Sequence, residues 1–462
     1  MNILDQGRFM LLGQTLEVDL QLGDPEFAEE IVVVADTVQL STVSNSVAHN
    51  LDQEFMERQP LSRDPVGLMN YAPGVTNGQA YGAPSDTQNA YNLDGVDVSD
   101  PALGSQWVLP SMDWVQEVQV LGLGADAEYG GFTGAAVNLI TKSGGNEFSG
   151  DVRVFYSDDG LNSSTTPEDT VGEFAQDELD VSFSLGGPII RDRMWFFLSG
   201  NERERGTSPF YLEGAPLDDR AETTRSWSRY LGKVTFQAND SNRIVGLINY
   251  DAVDEDYRAV GDFVLASASQ RQDSPNYSYN LTWESLVTDS SFITAKITGF
   301  DGNDDRFPQN GEIPGRYDLD SGFGWVNAEA IYSNIEKSRL AFDASWSLFA
   351  DGLLTKNDAH SFKFGVNYET LDDVEQETRP GGFTYADDSY WCADLDEYFA
   401  NPDCALFSSD RGGLIDLAAE MDGLHLFAQD SWQTGRVTVN LGVRYSQYTG
   451  NFKNPVSEPT SG

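Results

Sequence analysis

The histidines His49, His360 and His425 lie far apart in a chain of 462 residues, so a His-rich metal centre is not expected. Gly122-x-Gly124-x-x-Ala127 follows a strand-like run and has the spacing of a dinucleotide fingerprint. That fingerprint needs a helix to begin there, because the helix N-terminus holds the pyrophosphate. Tyr129-Gly130-Gly131 and Gly134 break any such helix, so the segment reads as a glycine turn between two strands. Asp301, Asn303, Asp305 and Glu312 fall at the spacing of a calcium hand, but Arg306 stands where the sharp turn needs glycine and no helices flank it. Weak Ca²⁺ binding by acidic loops is the one cofactor expectation. No Gly-x-Ser-x-Gly, His-Glu-x-x-His or Cys-x-x-Cys motif occurs, so neither a catalytic set nor a metal set is expected, and the chain does not read as an enzyme. Cys392 and Cys404 have eleven residues between them in a polar stretch, Asp387-Asp388-Ser389-Tyr390-Trp391-Cys392. In an oxidising compartment they are expected to close a short loop as a disulfide; the alternative is two unrelated buried thiols.

The charge balance narrows the classes further. With 28 Lys+Arg against 74 Asp+Glu, the formal net charge is −46, which repels a phosphate backbone and excludes a general nucleic-acid partner. Aromatics make up 12% of the chain, too many for a disordered acidic tail. The acid is densest at Asp251–Asp256, Asp301–Asp305, Asp372–Glu377 and Asp387–Glu397, all read here as long loops facing the exterior. No run of apolar residues is long enough for a transmembrane helix. Phe9-Met10-Leu11-Leu12 is too short for a signal-peptide core, so the true start is expected upstream of Met1.

The elements that must position any site are strands. Residues 14–22 alternate as an edge strand, and Ile31-Val32-Val33-Val34-Ala35 is a β-branched run flanked by acid. Between 41 and 76 a short helix is expected, capped by Ser44 or Asn45. Strands follow at 114–121 and 135–141. From about residue 147 onward the pattern is long period-2 alternation: Val437, Val439, Leu441, Val443 and Tyr445 alternate with Thr438, Asn440, Gly442 and Arg444. Eleven such strands of roughly ten residues are expected, near 148–157, 178–187, 193–204, 225–238, 242–255, 275–287, 291–302, 332–349, 360–372, 422–433 and 436–449. Short turns (Gly187-Pro188, Asn239-Asp240-Ser241, Thr288-Asp289-Ser290, Thr434-Gly435) alternate with long acidic links, and that asymmetry is the signature of a transmembrane β-barrel. Only a closed barrel satisfies every backbone group in lipid without helices. Trp195 with Phe196, Tyr156, Tyr250, Trp432, Tyr445 and Tyr448 fit interfacial girdles.

Residues 92–147 carry a more specific pattern. Asn92-Leu93-Asp94-Gly95-Val96-Asp97-Val98-Ser99-Asp100-Pro101 is followed by Met112-Asp113-Trp114-Val115-Gln116-Glu117-Val118, and then by Ala127-Glu128-Tyr129-Gly130-Gly131-Phe132-Thr133-Gly134 running on to Thr141-Lys142-Ser143-Gly144-Gly145-Asn146. This resembles the plug domain of TonB-dependent outer-membrane receptors, most of all their Oar-type, carboxypeptidase-regulatory-like subgroup. Leu68-x-x-Tyr71-Ala72-Pro73-Gly74-Val75 and the hairpin Phe427–Trp432 with Val439–Tyr445 are similar to that family as well.

The resemblance implies a 22-stranded barrel closed by an N-terminal α+β plug, of which this chain would hold about eleven strands, so that it reads as an internal fragment. It implies residues 1–23 as a remnant of a regulatory-like β domain, 24–40 as a linker, 41–146 as the plug and 147–462 as the first half of the barrel. Ile31, Val32, Val33, Val34 and Ala35 resemble the TonB box, an extended segment able to add a strand to a partner sheet. Asp94, Gly95, Asp97, Glu128, Tyr129 and Gly130 are read as residues that set plug geometry, since glycine permits φ > 0. The partners implied are TonB, outer-membrane lipid and an external ligand. The function implied is energised import; the alternative is an adhesion or structural protein displaying acidic loops without transport.

Overall fold

The computed structural model describes residues 48–58, 67–108, 110–161, 176–209, 219–261, 264–318, 324–325, 327, 330–387, 405–409 and 415–452, all within one compact unit. The plug comes first. Strand β1 (Ala48–Asp52) runs into helix α1 (Gln53–Arg58), with Asp52 Oδ1 accepting from Phe55 N at 2.8 Å. The helix cap is therefore Asp52; Ser44 and Asn45 lie outside the described residues. Two minor strands, β2 (Val75–Thr76) and β3 (Gln79–Ala80), form a small ribbon. Then come β4 (Ala90–Leu93), β5 (Val96–Asp97), β6 (Val115–Leu121) and β7 (Ala136–Thr141). The plug sheet has the order β1-β6-β7-β4-β5, and its β4–β7 pair is parallel. Leu51, Leu93, Val118, Val120, Leu139 and Trp114 are buried in its core, because alternate residues of each strand share one face. Gly122 and Gly124 form a turn beyond β6 rather than a helix start: Ala125 N donates to Gly122 O at 3.3 Å and Gly124 has φ 78°.

The wall is an eleven-stranded antiparallel sheet. Its strands are β8 (Ser149–Ser157), β9 (Gln176–Ile190), β10 (Met194–Thr207), β11 (Thr223–Asn239), β12 (Asn242–Arg258), β13 (Gln270–Thr288) and β14 (Ser291–Pro308). The links between β14 and β21 also hold β15 (Gly315–Asp318), β16 (Gly324–Trp325), β19 (Thr384–Asp387) and β20 (Ala405–Ser409). The remaining wall strands are β17 (Tyr332–Asp351), β18 (Asp358–Thr378), β21 (Ile415–Thr434) and β22 (Val437–Phe452). Neighbours in the wall are sequential hairpin partners throughout, ending at β8 and β22.

The alternation located these strands, but most run well past ten residues; β18 has 21. Most of the added length lies at the long-loop ends; β9 also runs on through Gly187-Pro188, which is therefore strand and not turn, to Ile190. The acid clusters 251–256, 301–305 and 372–377 are therefore strand segments in β12, β14 and β18, not loops. Asp301, Asn303 and Asp305 alternate along β14, with Asn303 Nδ2 and Asn334 Nδ2 both donating to Asp305 (2.7 and 2.6 Å), and no calcium-hand turn forms there. Among the described residues no group of three or more His, Cys, Asp or Glu is disposed around a common metal position. Two of the long links are tied together by a four-stranded sheet of order β16-β15-β19-β20, whose β15–β19 pair is parallel.

The wall's two faces differ as lipid requires. Phe183, Leu198, Ile248, Leu281, Leu340, Phe342 and Leu441 are exposed on the outer face, while Asn249, Asp251, Ser278, Thr298, Lys337 and His425 are buried on the inner one. Tyr230, Tyr250 and Tyr277 line up across three strands on the outside, the first two stacked and the last two tilted, with centroids 6.2 and 4.9 Å apart. Tyr448 departs from the girdle reading. It shares the inner face with His425, ring centroids 4.9 Å apart, because residue 448 has the opposite parity to the outward Tyr445.

Candidate functional site: the seat of the plug on the barrel wall

The plug meets the inner face of the wall in two ways. Phe197, Leu231, Leu247 and Phe300, from β10, β11, β12 and β14, join the plug's own apolar core. Elsewhere the contact is charged, and in its ion pairs plug carboxylates face wall cations; besides the four pairs described below, Asp113 of the plug lies 3.7 Å from Arg153 of β8.

The first pair grows out of a tight hairpin turn. Leu93 pairs with Val96, leaving Asp94 (φ 47°) and Gly95 (φ 86°) as the two turn residues, both left-handed as such a turn needs. Asp94 Oδ1 accepts from Thr141 N at 2.9 Å, which ties the turn to β7, and Oδ2 accepts from Lys233 Nζ of β11 at 2.8 Å. Asn280 Nδ2 of β13 donates to the Asp94 carbonyl at 2.7 Å. Lys296 Nζ is so close to Gly95 that a Cβ there would stand 2.9 Å from it.

The second and third pairs share strand β17. Asp97 Oδ1 accepts from Ser99 N at 2.9 Å and its Oδ2 pairs with Arg339 Nη1. Arg339 Nε lies 3.6 Å from Glu369 Oε2 of β18, and Glu369 Oε1 contacts His425 Nε2 of β21 at 3.1 Å. Asp100 Oδ1 caps its own loop, accepting from Ala102 N and Leu103 N at 2.8 and 2.9 Å. Both of its oxygens also accept from Lys337 Nζ, at 2.8 and 2.7 Å, and that ammonium lies 5.0 Å above the Trp107 ring.

The fourth pair is Glu128 with Lys363 of β18. Arg444 Nη1 of β22 donates to the Glu128 carbonyl at 2.9 Å, and Glu128 N donates to Gln429 Oε1 at 3.2 Å. Gly130 serves close approach rather than positive φ, since a Cβ there would stand 2.5 Å from Arg444 Nε; Gly131 takes the left-handed backbone, at φ 81°. Beside this loop, burial first and then the Glu128 charge push the Asp126 carboxyl upward, and burial raises the Tyr129 phenol.

A cavity of about 300 Å³ opens between the plug loop 97–104 and strands β17, β18, β21 and β22. Asp97, Asp100, Arg339, Glu369 and Tyr448 supply its polar lining, and Leu371 and Met421 its apolar part. Sequence reasoning named Asp94, Gly95, Asp97, Glu128, Tyr129 and Gly130 for turn geometry. The structure adds that Asp94, Asp97 and Glu128 also reach the wall. Asp100, Lys233, Lys296, Lys337, Arg339, Lys363, Glu369 and His425 were missed as site residues. One signal was available: the chain has seven lysines, and four of them (Lys233, Lys296, Lys337, Lys363) fall on the polar alternation of wall strands. Ile31–Ala35, Cys392 and Cys404 lie outside the described residues.

Fold and seat together define an outer-membrane β-barrel protein whose lumen side carries a plug. The chain belongs to the outer membrane beta barrel domain family, which matches residues 206–456. It is 31% identical, over 287 residues, to the TonB-dependent transporter Oar of Myxococcus xanthus, covering 52% of this chain and 26% of that protein. The fold is that of TonB-dependent receptors. The outer membrane transporter YddB from Escherichia coli superposes with a TM-score of 0.66 at 14% identity, over 88% of this chain and 57% of that one. The unliganded ferric citrate transporter FecA gives a TM-score of 0.63 at 12% identity, over 90% and 58%. The chain thus spans about a quarter of the curated relative and somewhat over half of these solved chains. It is a bacterial outer-membrane protein.

Proposed function

We propose that the chain is the plug-bearing part of a receptor that binds an external ligand above the plug and imports it when the TonB complex draws on the plug. The observation that supports this reading is the seat itself. Beside the apolar contact made by Phe197, Leu231, Leu247 and Phe300, the separate carboxylate–cation pairs are discrete contacts that can be exchanged one at a time. The relatives are transporters and receptors, which fits a protein without catalytic activity. Ile31–Ala35 is the segment on which TonB would act, by adding a strand to a partner sheet. Deleting these five residues in the full-length protein should abolish uptake while surface binding persists. Uptake that survives the deletion would refute the role given to Ile31–Ala35; binding with no uptake even in the intact full-length protein would favour the adhesion reading.

A further inference from the structure

The plug carboxylates that meet wall cations differ in how firmly they are held. The side chains of Asp94, Asp100, Asp113 and Glu128 are 11%, 3%, 2% and 15% exposed, whereas Asp97 is 39% exposed. Asp97 alone can swing into water with little change in its solvation. Its partner cannot follow: the Arg339 side chain is 8% exposed, lines the cavity and is held on its far side by Glu369. Arg339 is paired with two carboxylates, Asp97 on the plug side and Glu369 on the wall side. A guanidinium offers five N–H groups in a rigid fork that suits a bidentate carboxylate.

We propose that the cavity takes a carboxylate group of the ligand, which displaces Asp97 from Arg339 and so releases one plug–wall contact. This rests on the receptor reading and names the ligand chemistry and its coupling to the plug. At Arg339 one carboxylate replaces another: Arg339 and Lys337 face Asp97, Asp100, Glu369 and Asp373 before the exchange, and after it the ligand carboxylate stands where Asp97 stood while Asp97 carries its charge into water. A cation entering instead would have to compete with Arg339 and Lys337 for carboxylates they already hold. Tyr448, which also lines the cavity, offers a hydroxyl to the second ligand oxygen, and Leu371 and Met421 accept a short apolar stem. Arg339 is then a ligand-binding residue and Asp97 its built-in competitor, so the site is occupied in both states and the ligand sets where the plug's carboxylate goes.

The test uses the purified chain in detergent with three five-carbon probes: glutarate, 1,5-pentanediol and 1,5-diaminopentane. Binding is followed by calorimetry and by hydrogen exchange at the amides of residues 97–104. Glutarate should bind and speed exchange in that loop, and the other two probes should do neither. Asp97→Asn should bind glutarate at least fivefold more tightly, having lost the competitor, while Arg339→Gln should lose binding by tenfold or more. Asp97→Asn carries the test if Arg339→Gln does not fold, since residue 97 is exposed. Preference for the diamine, unchanged affinity in Asp97→Asn, or glutarate binding without faster loop exchange would each overturn the proposal. None of these readouts requires TonB, so failure here is separable from failure of the uptake experiment.

Discussion

In the plug, Leu93, Val118, Val120 and Leu139 point into a dry core and the carboxylates stand on its surface. In the wall, Leu198, Leu281, Leu340 and Leu441 point outward and Asn249, Asp251, Ser278 and Lys337 point inward. Both regions are β-sheets with the same residue types at period two, so the difference lies in what each face meets. The plug obeys the hydrophobic effect in water. The wall puts its apolar face against lipid and leaves its polar face for the plug and the lumen. The seat follows from this inversion: where a sheet that is polar inside meets a domain that is polar outside, contact must be made largely by hydrogen bonds and ion pairs.

The same substitution in the two regions should separate them most widely. Val118→Asp buries an unpartnered carboxylate in the plug core and should cost about 4 kcal/mol or more. Leu281→Asp faces lipid, where an acidic group costs less than the roughly 2–4 kcal/mol of a basic one at the bilayer midplane. Urea unfolding in lipid vesicles, with tryptophan fluorescence and protease digestion of the plug as separate readouts, checks this. Equal costs would mean that the two apolar faces see the same solvent.

The fold was legible because lipid makes alternation conspicuous. Val437 to Tyr445 reads as a strand at sight. The alternation fades at the long-loop ends, where both faces are wet, so 251–256 reads as a loop although it pairs with β11 and β13. Cross-strand partners such as Arg225 and Glu255, 3.8 Å apart, hold the sheet there, and a pairing of this kind leaves no local periodicity. The site was half legible. Its carboxylates lie in one recognisable plug segment. Its cations lie on separate strands, Lys233 139 residues from Asp94 and Lys337 237 residues from Asp100, each reading only as one more polar-face residue.

Within the seat, two carboxylates three residues apart should behave differently. Asp100→Asn leaves Lys337, whose side chain is 6% exposed, with only Asp373 at 3.6 Å, and should lower plug stability by about 3 kcal/mol. Replacing both members, as Asp100→Asn with Lys337→Met, should recover most of that loss, since the cost is the stranded charge. Asp97→Asn also leaves a buried cation, Arg339, with one carboxylate, Glu369 at 3.6 Å, but water reaches that pair through the 39% exposed Asp97, so it should cost less, about 1–2 kcal/mol. Protease resistance of the plug against urea orders the variants. If Asp97→Asn proves as costly as Asp100→Asn, the distinction between a fixed and an exchangeable contact fails.

The smallest effect concerns the plug's edge strand, where the comparison with the wall turns on charge. In β1 and β6, Asp52 pairs directly with Glu117, so two carboxyls share one face of the plug sheet instead of meeting cations. Burial, and then the Asp52 charge, push the Glu117 carboxyl up to about 7. A folded-state value raised above the unfolded one means that folding favours the protonated form. The associated stability is therefore fully present below about pH 4.5, declines as pH rises through 7, and is absent above it. Because Glu117 is partly exposed, the change is on the order of 1 kcal/mol after solvent screening. Hydrogen exchange of the β1 amides, measured from pH 4.5 to 8 and corrected for intrinsic rates, should show protection falling across that window. Glu117→Gln should flatten the profile at the protected level. A profile that keeps its slope in Glu117→Gln would place the titration elsewhere and remove this strand from the set of contacts that charge alone can loosen.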